Sequence, residues 1–232
     1  NVDWPVVLEA SGLGDTQHVV VGETSAISDG AALLDSVPLD TWKKYLTFHR
    51  ASDTASLLPK DFDDANFDFN SRTMRGVQEQ RDRWKRGVTL VDTNLGDGLG
   101  QAYVKKHFPP EHKAQMEQLV NNLLAALKVR IDTLDWMDSA TRVEALKKLA
   151  TFDPRIGYPS TSRDYSGLAV EPGTLFENVQ NADRFEWERR VSRLNQPVDR
   201  SEWHMTPPTV NAYYSPLINQ ITFPSHKFQP PF

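Results

Sequence analysis

Residues 111–135 read EHKAQMEQLVNNLLAALKVRIDTLD, and the spacing of their apolar positions decides the fold class. Met116, Leu119, Val120, Leu123, Leu124, Leu127, Ile131 and Leu134 recur at steps of three and four, the 3.6-residue period of an amphipathic helix. Pro109-Pro110 marks its start, since a proline in the first turn removes an N–H that has no helical partner anyway. A stripe this long is expected to make 111–135 a central packing helix.

Working outward, Asp138 can cap a following helix whose apolar face is Val143, Leu146 and Leu149, ended by Pro154 and an Ile156-Gly157-Tyr158-Pro159 turn. Upstream, Trp42, Tyr45, Leu46 and His49 predict a helix over 40–56, with His49 facing the core, stopped by Pro59. The acidic, Phe-dotted stretch 61–69 reads as a loop. Asn70 then caps a helix over 71–91, and a second helix covers 100–107. Gly96-Asp97-Gly98-Leu99-Gly100 has neither dinucleotide-binding nor P-loop spacing, so it reads as a helix-to-helix turn. The β-branched run 18–21 predicts a short strand. Composition shifts to Ser, Asp, Tyr, Gly and Pro over 160–173, the best domain boundary. Thr174 with Glu177 three residues on forms a capping-box pattern for a helix over 174–194. Two β-prone runs, 209–214 and 220–223, joined by Ser215-Pro216-Leu217-Ile218-Asn219, predict a hairpin. The class is mainly α with small β elements.

The 232 residues hold 31 Asp and Glu, 26 Lys and Arg, six His and no Cys. The apolar runs are too short to cross a bilayer, which takes roughly 20 residues. The opening Asn1-Val2-Asp3-Trp4-Pro5 lacks the basic and apolar regions of a signal peptide. Without cysteine there is no disulfide framework, thiol nucleophile or Cys-ligated zinc. Residues 1–70 carry 12 acidic and 4 basic side chains, residues 71–150 carry 10 and 14. A net charge of −5 argues against nucleic-acid binding. The Arg and Lys cluster around Trp84 reads as a solvated helix face, with Glu79 and Asp82 four residues before Arg83 and Arg86; an anion-binding role is the alternative. H-E-x-x-H does not occur, and His107 and His112 are five apart with two prolines between. That spacing cannot converge on one ion from a helix face, so no metal ligands are expected within this chain, and no G-x-S-x-G elbow is present to hold a nucleophile.

Function can be argued from residue types at the hairpin. A strand Val210-Asn211-Ala212-Tyr213-Tyr214 at a sheet edge would offer unpaired backbone N–H and C=O groups to an extended peptide, the β-augmentation mode. The Asn211 amide could add polar contacts to a neighbouring backbone, and Ala212 would permit close approach. A purely stabilising hairpin with aromatic cross-strand pairs fits the pattern as well.

The hairpin residues are similar to a known family. Val210-Asn211-Ala212-Tyr213-Tyr214-Ser215-Pro216, Asn219-Gln220-Ile221, Phe223-Pro224 and Gln229-Pro230-Pro231-Phe232 closely resemble the segment preceding the zinc-binding helix of the neprilysin-like (M13) metallopeptidases. Arg83-Trp84, Leu95-Gly96, Leu99-Gly100, Trp136-Met137-Asp138, Ile156-Gly157-Tyr158-Pro159 and the Trp203, Met205 and Pro207 pattern match in the same order.

The resemblance implies a zinc endopeptidase acting on peptides, with residues 1–170 part of a helical lobe enclosing the cleft. Residues 171–232 would supply the first helix and edge hairpin of a thermolysin-like zincin catalytic lobe. Zinc in such enzymes is held by the two His of H-E-x-x-H and a later Glu, while the motif's own Glu is the general base. The resemblance also implies that this chain is a middle portion without catalytic residues, inactive alone, whose partners are the peptide substrate and the missing C-terminal catalytic portion. Position by position, Asn211 and Ala212 match edge-strand residues that bind substrate backbone, Tyr213 an aromatic of the non-primed side, and Phe232 an aromatic near the primed-side pocket. Pro224-Ser225-His226-Lys227-Phe228-Gln229 departs from the family's Pro-Ala-Gly-Ile-Leu-Gln, and Lys227 is expected to point to solvent or meet an acidic group. Lack of cysteine resembles bacterial members, which suggests an extracellular or periplasmic enzyme. The alternative is a self-contained, non-catalytic helical module that binds extended peptides by β-augmentation.

Overall fold

Residues 2–228 are described by the structure, a computed structural model. The elements in chain order are α1 (Trp4–Ala10), α2 (Thr24–Ser36), α3 (Leu39–Asp53), α4 (Lys60–Asn66), which runs into a π-helical stretch Phe67–Thr73, and α5 (Arg83–His107). They continue with α6 (Pro110–Thr133), α7 (Ser139–Ala150), β1 (Asp153–Gly157), α8 (Leu175–Ser192), β2 (Tyr213–Ser215), β3 (Gln220–Pro224) and a 3-10 turn Ser225–Lys227. The class is mainly α with one small sheet, as the periodicity implies. No helix among the described residues is long and apolar enough to cross a membrane.

The chain forms two compact units, interleaved in sequence. One joins the chain up to Asp82 with Gly167–Gln196, the other Arg83–Ser166 with the chain from Pro197 onward. This contact-based division is of a different kind from sequential lobes meeting at 170/171. In the first unit the Trp187 indole N–H donates to the Ser11 carbonyl at 3.0 Å, and the Arg50 guanidinium lies 5.6 Å over the Phe176 ring, tying α8 to the N-terminal helices.

The second unit is built on a sheet of order β1-β3-β2, with β1 parallel and β2 antiparallel to β3. α6 packs on α7 and β1. Phe108, 1% exposed, sits between α5 and α6 and presses against Gly157. Gly157 has φ +83°, and a Cβ there would lie 2.5 Å from Phe108 Cε1, so the end of β1 needs glycine on both counts.

Several expectations change. Residues 18–21 form no strand: with no neighbouring strand their backbone has no ladder, and Val20 is 98% exposed. Residues 61–69 are helical instead of loop. Asp61 and Asp63 fall in the first turn of α4, where the helix dipole favours anions, and Lys60–Asp64 and Asp68–Arg72 pair at four-residue spacing. The helix expected over 71–91 breaks at Gly76, whose φ of +72° is the left-handed geometry of a helix end, and helix resumes at Arg83. The Glu79 to Arg83 and Asp82 to Arg86 spacings therefore do not lie on a helix. The separate 100–107 helix is the second half of α5, which kinks at Leu95 (φ −130°, ψ 30°).

The expected core position of His49 is exposed, with its ring 4.3 Å from that of Tyr45. The Thr174 capping box is absent: the Thr174 hydroxyl donates to Glu171 O at 3.1 Å, leaving no side-chain cap on α8. The 111–135 stripe is covered at its ends, at Met116 and Ile131, while Leu119, Leu123 and Leu127 stay exposed. α6 thus packs closely at Met116 and Ile131, with Val120 and Leu124 half-buried and the leucines at 119, 123 and 127 open.

Asp138 does cap α7. Its Oδ1 accepts from Thr141 N at 2.8 Å and Oδ2 from the Thr141 hydroxyl at 3.0 Å, and these bonds hold its carboxyl below the usual range. A carboxyl depressed in the folded state stabilises above its unfolded pKa of about 3.9 and loses that contribution as pH falls through the folded value. Asp138→Ala should therefore lower the melting temperature at neutral pH and flatten its decline below about pH 4 in a pH series of thermal melts. Gly100 lies under Pro207, where a Cβ would be 2.5 Å from Pro207 Cδ. A proline ring cannot swing aside, so Gly100→Ala should destabilise by about 1–3 kcal/mol in denaturant titration.

Candidate functional site

β3 is the central strand and its side chains are packed from both sides. Gln220, 1% exposed, donates from Nε2 to Asp153 Oδ2 at 2.9 Å and to Arg200 O at 3.0 Å. Asp153 Oδ2 also accepts from Arg155 Nε and Nη2, at 3.1 and 2.8 Å. Arg200 Nη2 donates to Ile218 O at 2.8 Å, so one network fixes the β2–β3 turn to β1. Asn219 closes that turn at φ +51°, a left-handed conformation that Asn tolerates. Its Nδ2 donates to Lys148 O at 2.7 Å and Thr151 Oγ1 at 2.9 Å, and its Oδ1 accepts from the Tyr214 hydroxyl at 3.0 Å.

The hairpin expected over 209–214 and 220–223 forms, with a shorter first strand. β2 begins at Tyr213, paired with Thr222, so Val210, Asn211 and Ala212 lead into the ladder without belonging to it. β2 is an edge: β3 pairs with one side of it, and no other described strand pairs with the opposite side. Asn211 is exposed and its Oδ1 accepts from Ala212 N at 2.8 Å, which turns the amide back on its own chain. Ala212 is half-buried. Tyr213 accepts from the His204 backbone N–H at 3.0 Å through its hydroxyl, and its ring lies 5.4 Å from the His204 ring. Tyr214 stacks at 6.2 Å on Phe152 instead. Asn211, Ala212 and Tyr213 thus lie at one end of the edge strand; Phe232 lies outside the described residues.

Residues 206–208 and 225–228 complete this end of the sheet, and the hairpin pattern alone did not single them out. Pro207 O accepts from the Ser225 hydroxyl at 3.0 Å and from His226 N at 3.1 Å. The Thr206 hydroxyl donates to Asp92 Oδ1 at 2.9 Å and its methyl abuts Gly96, where a Cβ would be 2.4 Å away. Gly96 and Gly100 are contact points for Thr206 and Pro207, while Gly98 faces Tyr165. Their spacing against Pro207 is the signal a sequence reading could have used.

Among the described residues no three His, Asp or Glu side chains converge as a metal site. The described residues therefore do not offer the three or four convergent donors that a zinc ion needs. A groove of about 540 Å³ bordered by Trp4, Leu8, Val20 and Ile27 belongs to the other unit and is almost wholly apolar, unsuited to polar chemistry.

Thr222, fully buried between Tyr213 and Arg155 in the register, has a hydroxyl without a hydrogen-bond partner among the described residues. Thr222→Val should be neutral or stabilising by about 1 kcal/mol in thermal or denaturant unfolding, since it removes an unsatisfied polar group from the sheet.

The sequence matches Peptidase family M13 over residues 1–159. It is 30% identical to human endothelin-converting enzyme 1 over 228 residues, 95% of this chain and 30% of that protein. It is 32% identical to neprilysin-3 of Drosophila melanogaster over 199 residues, 83% of this chain and 25% of that protein. The cryo-EM structure of Mycobacterium tuberculosis zinc metalloprotease Zmp1 in its open state superposes with a TM-score of 0.90 at 42% identity, over 99% of this chain and 36% of that one. This chain therefore spans about a third of the length of the relatives it matches. With a match over more than two thirds of its residues and a shared fold, the chain belongs to peptidase family M13.

Proposed function

We propose that residues 1–232 are one portion of a zinc endopeptidase that hydrolyses peptides, and that this portion contributes the edge against which the substrate backbone lies. The observation that carries the reading is the edge position of β2, whose outward side has no strand partner among the described residues. An extended peptide laid there gains backbone hydrogen bonds in the same pattern as a sheet neighbour. Asn211 and Ala212 sit where the peptide would run on past the ladder, and Tyr213 borders it. Phe232 is assigned to the primed-side pocket by its match to the family pattern.

On this reading residues 1–170 belong to the helical lobe enclosing the cleft and 171–232 begin the catalytic lobe. Zinc, named in the description of the Mycobacterium tuberculosis relative, would supply Lewis-acid activation of the scissile carbonyl and water. Its ligands are assigned to polypeptide outside these residues, which hold no H-E-x-x-H. What this chain's own residues do is bind and orient. The exposed middle of α6 supports the same view, since an apolar stripe left open in one portion is covered when a larger body assembles. A bacterial enzyme fits the similarity to Zmp1 of Mycobacterium tuberculosis.

The test is kinetic, in the full-length enzyme. Asn211→Ala should lower kcat/KM for a peptide substrate by roughly 10- to 100-fold, the loss expected when one or two hydrogen bonds to substrate disappear, with zinc content unchanged. Unchanged kcat/KM would remove the edge-strand assignment. Residues 1–232 alone, equilibrated with zinc, should retain less than one equivalent. Stoichiometric zinc with micromolar peptide binding would favour a self-contained module instead.

A further inference from the structure

We propose that Lys227 is a specificity-determining residue, a cation that favours peptides carrying a carboxylate side chain where they pass the end of β3. This inference rests on the edge-strand reading above. The antiparallel register sets Tyr213 opposite Thr222, so the chain leaving the C-terminal end of β3 and the chain entering β2 occupy the same end of the hairpin. The turn Ser225–Lys227 is therefore placed at the end of the sheet where Asn211 and Ala212 lie.

Three of the four residues from Ser225 to Phe228 are anchored inward. Ser225 is fully buried and its hydroxyl donates to Pro207 O. His226 donates its backbone N–H to the same carbonyl, and its Nδ1 lies 2.9 Å from the Tyr103 hydroxyl of α5, with the two rings stacked at 5.6 Å. Phe228 donates its N–H to Ser225 O, and its ring lies 6.2 Å from Phe108 and 6.0 Å from Phe223. Lys227 is the exception. It is exposed, and among the described residues it makes no hydrogen bond or ion pair.

A backbone held at three neighbouring points fixes where the Lys227 stem leaves the surface, while the ammonium keeps its hydration until a ligand arrives. An ammonium offers three donors and a full positive charge, so the complementary group is an anion. On a peptide lying along β2, that anion is an Asp or Glu side chain. Neutral side chains gain nothing from it, and cationic ones are disfavoured.

The experiment uses the full-length enzyme and a matched pair of peptides that differ only by Glu or Leu on the C-terminal side of the scissile bond. Lys227→Ala should lower kcat/KM for the Glu peptide roughly five-fold, the range of one exposed ion pair, and leave the Leu peptide unchanged. Lys227→Glu should reverse the order of the two peptides. The discrimination should shrink between about 0.05 M and about 0.5 M salt, as screening requires. Equal changes for both peptides, no change in either, or discrimination that persists at high salt would overturn the proposal. Asn211→Ala separates the two readings. If it lowers both peptides while the Lys227 variants leave their ratio untouched, only the Lys227 inference fails; if it lowers neither, the edge-strand reading fails.

Discussion

The hairpin end of the second unit depends on β3 having a partner on each side. It is the central strand, parallel to β1 and antiparallel to β2, and its backbone is satisfied only when both are in place. Gln220 makes that dependence chemical. One amide nitrogen is shared between an Asp153 carboxylate oxygen and the Arg200 carbonyl, so the strand, the β1 edge and the segment before the hairpin are fixed by a single buried group. A buried amide with both donors engaged holds one register, because slipping by a residue would strand those donors without acceptors.

That register is also what holds the edge strand in place. β2 is only Tyr213–Ser215 long, too short to hold its shape alone, and it borrows rigidity from β3 and from Asn219 at the turn. Tyr213 and Tyr214 alternate across the strand, one held by the His204 backbone and the other stacked on Phe152. The edge is thereby braced on both faces, and no described strand pairs with its outward side.

Much of this was legible in the sequence where a local pattern carried the information. The 3.6-residue stripe placed α6 and the Asp138 cap placed α7, because both are settled by residues within a turn or two. The hairpin was legible as two β-prone runs, though its first strand starts four residues later than the 209–214 run suggests, since pairing with Thr222 and not propensity sets its start. β1 was not legible. Asp153-Pro154-Arg155 has no strand signature, and the segment is extended because β3, some 67 residues later, offers it a ladder. Pro154 is tolerated because β1 is an edge. The 96–100 glycines carried the right suggestion of irregularity but the wrong reason: the demand comes from Thr206 and Pro207, more than a hundred residues away. Asn211, Ala212 and Tyr213 were singled out by family resemblance far more than by pattern, and β2 takes up only the last of them. The turn that carries Lys227 was not legible, because its anchors at Tyr103, Phe108 and Pro207 are scattered through the chain.

The parallel pairing of β1 with β3 has a consequence for how the chain is made. Asp153 leaves the ribosome about 67 residues ahead of Gln220, which at roughly 5–20 residues per second is a delay of about 3–13 seconds. During that interval β1 has α6 to pack on but no ladder, while α8 can already be packing with the N-terminal helices. The sheet of the second unit is thus a late event in synthesis, formed after the intervening stretch has folded elsewhere. Its nascent β1 edge is the segment of this chain most in need of protection while it waits.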